Sequence, residues 1–345
     1  MTSMMARATC MAAGAALGLA TLAGTALAAG EVNVYSARQE VLIRPLFDAF
    51  TKSTGIKVNV VSGGEDALIE RLKSEGINSP ADVMLTVDAG RLIRTQENGS
   101  LQPVKSPTLE QNVPAAYRDP QGYWYGLSVR ARPIMYSTAR VKPSELSTYA
   151  DLAHPKWKGR ICVRTSSHIY NQSLLASMVA HQGVEKTEAW AKAFAGNLAR
   201  KPQGGDRDQI KAVASGECDI AIANTYYLAG MIGSGTEEEK KLASQVAVFW
   251  PDQSGHGTHV NISGAGVTAG AKNKENAIKL LEYLTSDEAQ MIYAAKVYEY
   301  PIRSSIPVGK PLSDWAEFKA DTLNLASFAK HNPDAVKITD RVGWR

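Results

Sequence analysis

Short apolar strands alternate with amphipathic helices in two blocks of this 345-residue chain, and this alternation restricts its fold more than any other feature. The first block runs in the order strand 32–34, helix 42–50, strand 56–60, a helix between Gly64 and Gly76, and strand 82–87. Because a helix that crosses between two strands of one sheet leaves them parallel, the block predicts a parallel sheet covered by helices.

A second block resumes the alternation near residue 161. Its predicted elements are strand 161–163, helices 172–181, 185–199 and 209–214, and strands 218–223 and 246–250. Two longer extended segments, 127–136 and 260–267, are each expected to carry the chain from one lobe to the other. The sequence therefore predicts an α/β protein of two lobes, with a ligand cleft at the hinge and outside the carboxyl ends of the strands.

The crossings predict how the chain divides between the lobes. Residues 29–130 and 265–300 are assigned to an N-terminal lobe, and residues 131–264 to a C-terminal lobe. Residues 301–345 are predicted to be helical, without assignment to either lobe.

The composition excludes several classes of protein. Hydrophobic residues make up 44% of the chain and charged residues 21%, which is typical of a globular protein with a sizeable core and not of a disordered or fibrous chain. The net charge of +4 is small and evenly spread, so neither a nucleic-acid footprint nor a polybasic membrane patch is expected.

Residues 1–28 predict a secretory signal peptide. Arg7 is the only charged residue before Glu31, the segment between them is apolar, and the small residues that end it suggest cleavage after Ala28. A transmembrane anchor is the alternative, but alanine and glycine make the segment weakly apolar for a span. Cys10 precedes the apolar run, whereas a lipoprotein cysteine would follow it. We therefore expect a soluble mature chain outside the cytoplasm.

Cleavage would leave two cysteines, Cys162 and Cys218. An even number of cysteines in an oxidising compartment predicts one disulfide, which would contribute about 4 kcal/mol in the chain-entropy account of loop closure. Two buried free thiols are the alternative.

Three tyrosines follow these two cysteines at matching distances along the sequence. The chain has 13 Tyr and 6 Phe, whereas protein cores usually prefer Phe because a buried phenol needs a hydrogen-bond partner. Tyr170 lies eight residues after Cys162, Tyr226 lies eight residues after Cys218, and Tyr227 follows directly. If the cysteines are bridged, their strands are neighbours, and the three phenols can converge at the carboxyl edge of the sheet.

Three converging phenols have a chemical use. A phenolate is a hard anionic oxygen ligand that suits Fe(III), and the ion's field removes protons that tyrosine otherwise keeps up to a pKa of ~10. Binding should then release protons and weaken in acid. Adjacent tyrosines also occur by chance, so the spacing alone leaves a metal site and a structural role both open.

Seven segments, in order along the chain, make it resemble the periplasmic ferric-iron-binding proteins of bacterial ABC importers. They are residues 34–38, 79–83 with 87–92, 126–132, 170–173, 224–227, 257–264 and 340–344. The resemblance implies a type II two-lobed solute-binding fold, a monomeric receptor in the periplasm, an inner-membrane ABC permease as partner, and no enzyme activity. It also implies that Tyr170, Tyr226 and Tyr227 supply phenolates to Fe(III) from the second lobe.

One position departs from the family pattern. Many relatives continue the first segment with Arg-His-Tyr and gain two ligands there, whereas this chain reads Arg38-Gln39-Glu40. Glu40 offers a carboxylate, which is a hard oxygen ligand. Water, a small anion such as carbonate, or a Glu40 that is only a solvated residue at a helix start are the alternatives.

Arg130 is the candidate for holding such an anion. Its planar guanidinium suits carbonate, it lies on the first crossing segment, and it matches a family arginine with this role. Arg132 is the second candidate, and a structural ion pair is the alternative for either. Arg130 with the tyrosines as an aromatic wall would also suit a receptor for a small oxyanion or organic anion.

Two histidine motifs suggest other chemistry. The segment from His256 to Val260 resembles the catalytic-histidine motif of subtilisin-like proteases, but the serine segment that this chemistry needs is missing, so a hydrolase is not favoured. His168, two residues before Tyr170, is interpreted as a surface or hydrogen-bonded residue rather than a ligand.

Overall fold

The computed structural model of the protein describes residues 30–38 and 40–344. The predicted signal peptide, residues 1–28, and Gln39 lie outside them. Within the described residues, no helix is both long enough and apolar enough to cross a membrane.

The described residues form ten strands and twelve α-helices. The strands are β1 (Glu31–Ser36), β2 (Lys57–Ser62), β3 (Val83–Val87), β4 (Tyr125–Ala131), β5 (Ile134–Ser137), β6 (Ile161–Cys162), β7 (Ile220–Ile222), β8 (Val246–Phe249), β9 (Val260–Val267) and β10 (Tyr300–Pro301). The helices are α1 (Glu40–Thr54), α2 (Glu65–Glu75), α3 (Ala89–Glu97), α4 (Pro107–Asn112), α5 (Ile169–Gln182), α6 (Val184–Gly196), α7 (Asp206–Ser215), α8 (Thr225–Ser234), α9 (Glu237–Ala243), α10 (Lys274–Leu284), α11 (Asp287–Ile292) and α12 (Ser327–Val342).

Two separate sheets organise these elements, as the prediction of a two-lobed α/β fold required. The larger sheet has six strands in the order β10-β4-β9-β3-β1-β2, and the smaller has four in the order β6-β7-β5-β8. The first block gives parallel pairs of β1 with β2 and β3, and the second gives a parallel pair of β6 with β7. Both sheets are mixed, because β9 runs antiparallel between β3 and β4, and β5 runs antiparallel to β7 and β8.

The chain passes twice between the sheets. The predicted segment 127–136 divides into β4 of the large sheet and β5 of the small sheet, separated at Arg132 and Pro133, where proline lacks the N–H that a continuous ladder needs. The segment 260–267 does not itself cross, because β9 lies in the large sheet along its whole length, and the passage therefore precedes Val260. Arg132 N–H donates to His259 C=O at 3.0 Å, so the two passages lie side by side as a hinge.

A disulfide joins Cys162, the last residue of β6, to Cys218, just before β7. The predicted bridge is confirmed, and it fastens two strands that are also hydrogen-bonded neighbours.

The end of the chain is less helical than predicted. Between Pro301 and Ser327 the structure has only a single 3₁₀ turn, Leu312–Asp314, because two prolines and a glycine at 307, 311 and 309 interrupt any helical repeat. Helix α12 follows and packs against α5 and α6, the helices associated with the small sheet.

The helix that begins at Asp287 ends in an irregular turn. Helix α11 stops at Ile292 and continues as a π-helical turn, Tyr293–Val297. Tyr298 then takes a left-handed backbone conformation with φ +58° before β10 begins.

Candidate metal centre

The hydroxyl oxygens of Tyr170 and Tyr226 lie 2.9 Å apart. Tyr170 is the second residue of α5, and Tyr226 is the second residue of α8. Because these helices follow the carboxyl ends of the parallel neighbours β6 and β7, their first turns lie side by side at one edge of the small sheet.

Tyr227 completes the group. Its ring centroid lies 4.3 Å from that of Tyr226, with the ring planes tilted by 34°. Tyr170 is buried, whereas Tyr226 and Tyr227 are only partly so. The three phenols that the sequence singled out are thus brought together at two helix N-termini, whose dipoles favour negative charge.

Burial keeps two of these phenols protonated. Burial, followed by the proximity of Tyr170 and Tyr227, raises the pKa of Tyr226 well above its ordinary value. Burial, followed by Tyr227, raises the pKa of Tyr170, although Arg130 acts in the opposite direction. A cation bound by these oxygens must therefore displace protons.

The phenol group differs from metal sites that are built from histidine, cysteine and carboxylate ligands. Among the described residues, no group of three or more His, Cys, Asp or Glu could hold a metal ion. Phenol oxygens are hard donors, so the group suits a small, highly charged cation rather than a soft one.

Arg130 offers unsatisfied hydrogen-bond donors beside the phenols. Its side chain is 1% exposed, and its Nη1 and Nη2 have no hydrogen-bond partner in the described structure. The nearest carboxylate oxygen, Asp88 Oδ2, lies 3.7 Å from Nη2, which is too far for a hydrogen bond. The guanidinium carbon lies 5.2 Å from the centroid of the Tyr170 ring.

The unpartnered atoms face a small cavity. Arg130, Tyr170, Asn224 and His259 all line it, and its volume is about 10 Å³, close to what one water molecule needs. Asn224 Nδ2 and His259 Nδ1 also lack partners within the described part of the chain. Because buried donors without partners destabilise a fold, the free nitrogens of Arg130 and Asn224 suit a hydrogen-bond acceptor about the size of a water molecule, and the carboxylate of Asp88 also lines this cavity.

Arg132, the second candidate, has a structural role. Its Nη1 donates to Asp206 Oδ2 at 2.8 Å and to Asn224 Oδ1 at 3.0 Å, and its Nη2 donates to Asn171 Oδ1 at 2.7 Å. Although burial opposes the charge, Arg132 and Arg164 hold the pKa of the Asp206 carboxyl below its ordinary value. Arg132 thus matches the ion-pair alternative and ties the starts of α5 and α8 together.

Glu40 is the first residue of α1. Its side chain is 49% exposed and forms an ion pair with Arg44, one turn further along the same helix. This is the arrangement of a carboxylate at a helix start, and its role as a metal ligand stays a prediction.

The sequence did not single out Glu299, and it did not assign a role to Arg38. Arg38 Nη1 donates to Glu299 Oε1 at 2.9 Å and to Ser263 Oγ at 2.6 Å, and the guanidinium carbon lies 5.9 Å from the Tyr226 ring centroid. Glu299 is fully buried and also accepts from Ser128. It lies in a segment without helical or strand periodicity, so no sequence pattern marks it.

The other histidines do not form a hydrolytic site. His256 stacks on His181 with centroids 3.7 Å apart, and His181 Nε2 pairs with Asp321 at 2.7 Å. Ser177 shares their cavity, but its hydroxyl donates to the backbone C=O of Leu174 at 2.8 Å. Within the described residues, no serine hydroxyl is hydrogen-bonded to a histidine, as a Ser–His nucleophile requires.

His168 has the hydrogen-bonded role that the sequence favoured. Its Nδ1 accepts from Tyr170 N–H at 3.3 Å at the start of α5. Burial, followed by the charge of Arg164, lowers the pKa of His168 to about 3, so the ring is a neutral acceptor.

Known proteins with the same architecture are numerous. Residues 78–324 match the family of bacterial extracellular solute-binding proteins. Iron uptake protein A1 of Synechocystis is 50% identical over 315 residues, which cover 91% of this chain and 88% of that protein. An Fe(3+)-binding periplasmic protein of Serratia marcescens is 31% identical over 301 residues, covering 86% of this chain and 87% of its own.

A solved structure shows the same fold in detail. A Trichodesmium protein, described as a complex with iron and citrate ligands, superposes with a TM-score of 0.89 at 53% identity, covering 92% of this chain and 100% of that chain. With the family match over residues 78–324, this likeness identifies the chain as a member of the bacterial extracellular solute-binding protein family.

Proposed function

We propose that this chain is a periplasmic receptor that binds Fe(III) and delivers it to an inner-membrane ABC permease. The observation that carries the proposal is the group of three phenols, with Tyr170 Oη 2.9 Å from Tyr226 Oη and the ring centroid of Tyr227 4.3 Å from that of Tyr226. The names of the Synechocystis and Serratia relatives, and the iron in the Trichodesmium structure, support the same cargo. Members of this family bind and deliver solutes, which agrees with the expectation that the chain is not an enzyme.

The three phenolates of Tyr170, Tyr226 and Tyr227 neutralise the charge of Fe(III). Each phenol loses its proton to the field of the ion, and the N-termini of α5 and α8 stabilise the resulting negative charge. Loading is therefore coupled to proton release, and iron affinity falls as the pH falls.

A small anion beside Arg130 completes the site. Water and Glu40 are the alternatives, but Arg130 presents two Nη atoms without partners, whereas Glu40 is already paired with Arg44. The Trichodesmium relative, described as a complex with iron and citrate ligands, supports an anion as part of the site. Carbonate and the carboxylate groups of citrate both present oxygens in one plane around a carbon, which a guanidinium recognises.

Each of the two lobes that close over the ion contains one of the two sheets. The six-stranded sheet forms the N-terminal lobe and the four-stranded sheet forms the C-terminal lobe, with the crossings at Arg132–Pro133 and before Val260. We therefore place the lobe boundaries near residue 131 and before Val260, whereas the division predicted from the sequence has them at 131 and 264. Closure of the lobes over the ion distinguishes loaded from empty receptor at the permease, and the receptor acts as a monomer.

A receptor for a small oxyanion or organic anion is the second candidate, because the free guanidinium of Arg130 is itself an anion-binding group. Two measurements separate the candidates. Ferric citrate added to metal-free protein should produce a visible phenolate-to-iron charge-transfer band, and calorimetry with citrate or carbonate alone should show much weaker binding. Tight anion binding without the metal, and no visible band, would favour the second candidate instead.

A further inference from the structure

The ring of Tyr298 lies in a notch on helix α8. Gly230 and Gly233 follow Tyr226 at four and seven positions, so all three residues share one face of the helix. A β-carbon placed on Gly233 would lie 2.7 Å from Tyr298 Cζ and 2.8 Å from Cε1, with Oη closer still. A β-carbon on Gly230 would touch Cδ2 at 3.9 Å. The ring therefore occupies space that a side chain at position 233 would need.

This contact joins the two halves of the protein. Tyr298 lies two residues before the start of β10, which pairs with β4 in the large sheet, whereas α8 follows β7 of the small sheet. A hydrogen bond from Ser173 Oγ to Asp88 Oδ1 at 2.8 Å also crosses between the halves, but it joins α5 to the start of α3. Tyr298 is thus a separate crossing contact, directed at the helix that carries Tyr226 and Tyr227.

The backbone of Tyr298 is held in an unfavourable conformation. Its φ of +58° and ψ of +32° lie in the left-handed region, which residues other than glycine, asparagine and aspartate rarely adopt. The conformation follows a π-helical turn, and both features concentrate at functional sites. The next residue, Glu299, is buried and paired with Arg38 at 2.9 Å, so the segment that presents the ring is anchored in the large-sheet half.

We propose that Tyr298 is a positioning residue for the iron site, and that its ring latches helix α8, which carries Tyr226 and Tyr227 in its first turn, against the half that contains Arg38. The inference rests on the proposed function, because what the latch positions is the set of phenolates. Tyr298 is not itself a ligand, since its hydroxyl lies at the Gly233 end of the notch, the end farther from Tyr226. Loss of the latch leaves all ligands in place and allows the closed, loaded form to open more often.

The test compares five variants for iron release, one of which, Tyr298→Phe, keeps the ring and removes only the hydroxyl. Gly233→Ala fills the notch, Tyr298→Ala removes the ring, and the double variant does both. Gly196→Ala is the matched control, because Gly196 is an exposed residue of α6 whose added β-carbon would meet nothing within 4 Å. Each protein is loaded with ferric citrate, and loss of the charge-transfer band to an excess of EDTA gives the release rate.

Gly233→Ala and Tyr298→Ala should each release iron about tenfold faster, with the band at its wild-type wavelength. The double variant should be no faster than either single variant, because both remove the same contact. Tyr298→Phe should keep slow release, since the ring remains, and Gly196→Ala should match the wild type.

The outcomes distinguish the two proposals. If the wild-type protein shows no charge-transfer band, the proposed function is overturned. The role of Tyr298 in holding iron is then overturned as well. A normal wild-type band with unchanged release from both Gly233→Ala and Tyr298→Ala would overturn the latch alone. If Gly233→Ala does not fold, Tyr298→Ala and Tyr298→Phe still decide, because only loss of the ring should speed release.

Discussion

Tyr170 Oη and Tyr226 Oη lie 2.9 Å apart although 56 residues separate the two tyrosines. The disulfide between Cys162 and Cys218 spans the same interval of 56 residues. Each tyrosine follows its cysteine by eight positions and occupies the second position of a helix. The bridge and the paired strands β6 and β7 therefore fix the distance between the two helix starts that carry the phenols.

Removal of the bridge should weaken both the fold and the site. The variant with Cys162→Ala and Cys218→Ala should lose about 4 kcal/mol of unfolding free energy in the chain-entropy account, measured by urea denaturation. The iron affinity of the folded variant should also fall, because β6 and β7 would be held by backbone pairing alone. A variant that keeps wild-type stability would show that the bridge does not constrain the unfolded chain.

Arg130 and Arg132 should respond differently to substitution. Arg130→Gln should lower the unfolding free energy less than Arg132→Gln does, because the Arg130 Nη atoms have no hydrogen-bond partner and the nearest carboxylate oxygen lies 3.7 Å away. It should lower iron affinity about tenfold or more and remove its dependence on added carbonate or citrate. Arg132→Gln should instead cost about 3 kcal/mol of stability, because the buried carboxylate of Asp206 loses its 2.8 Å partner.

The reverse pattern would contradict this assignment. An Arg130→Gln protein that unfolds readily, together with an Arg132→Gln protein that is stable but insensitive to anions, would place the anion at Arg132.

Substitution of Glu40 tests the remaining alternative for the first lobe. Because Glu40 is half exposed and paired with Arg44, Glu40→Gln should change iron affinity by no more than about twofold and leave the charge-transfer band in place. A shifted band together with a large loss of affinity in spectral titration would instead identify Glu40 as a ligand.

The buried His259 should make the metal-free protein less stable in mild acid. Burial, followed by the charges of Arg132 and Arg130, lowers the pKa of His259 to about 3, whereas an unfolded histidine has a pKa of about 6.5. Between these values the unfolded chain binds a proton that the folded chain excludes, so stability falls as the pH falls below about 6.5.

Urea denaturation at pH 7 and at pH 5.5 measures this effect. The wild type should lose about 1 kcal/mol more than His259→Gln over this interval, since the variant cannot take up the proton. Equal losses in the two proteins would show that the ring is not held neutral.

Local periodicity predicted the strands and helices on which the site is built. The alternation around 56–60 and 82–87 depends on neighbouring residues, and the structure has β2 and β3 there. The grouping of the three phenols followed from the Tyr–Cys spacing once the cysteines were paired, because parallel neighbouring strands end at one sheet edge.

Features that depend on distant contacts could not be predicted in this way. The sequence of β9 indicates only an extended segment, and its pairing with β3 and β4 is what shows that it belongs wholly to the large sheet. Glu299 is a charged residue that the fold buries against Arg38, and it directly follows Tyr298, whose left-handed conformation no local sequence pattern indicates. Asn224 and His259 lay within recognised segments, but only the folded cavity shows their unpartnered nitrogens.

The most direct test of the iron site is the visible spectrum of ferric-loaded tyrosine variants. Tyr123→Phe serves as the matched control, because Tyr123 lies in the segment before β4, away from the phenol group. Wild type and Tyr123→Phe should show the same charge-transfer band when ferric citrate is added, with protons released in step. The variant with Tyr226→Phe and Tyr227→Phe should lose most of the band and bind iron far more weakly. A band of unchanged position and intensity in that double variant would contradict the assignment of these phenols as the iron ligands.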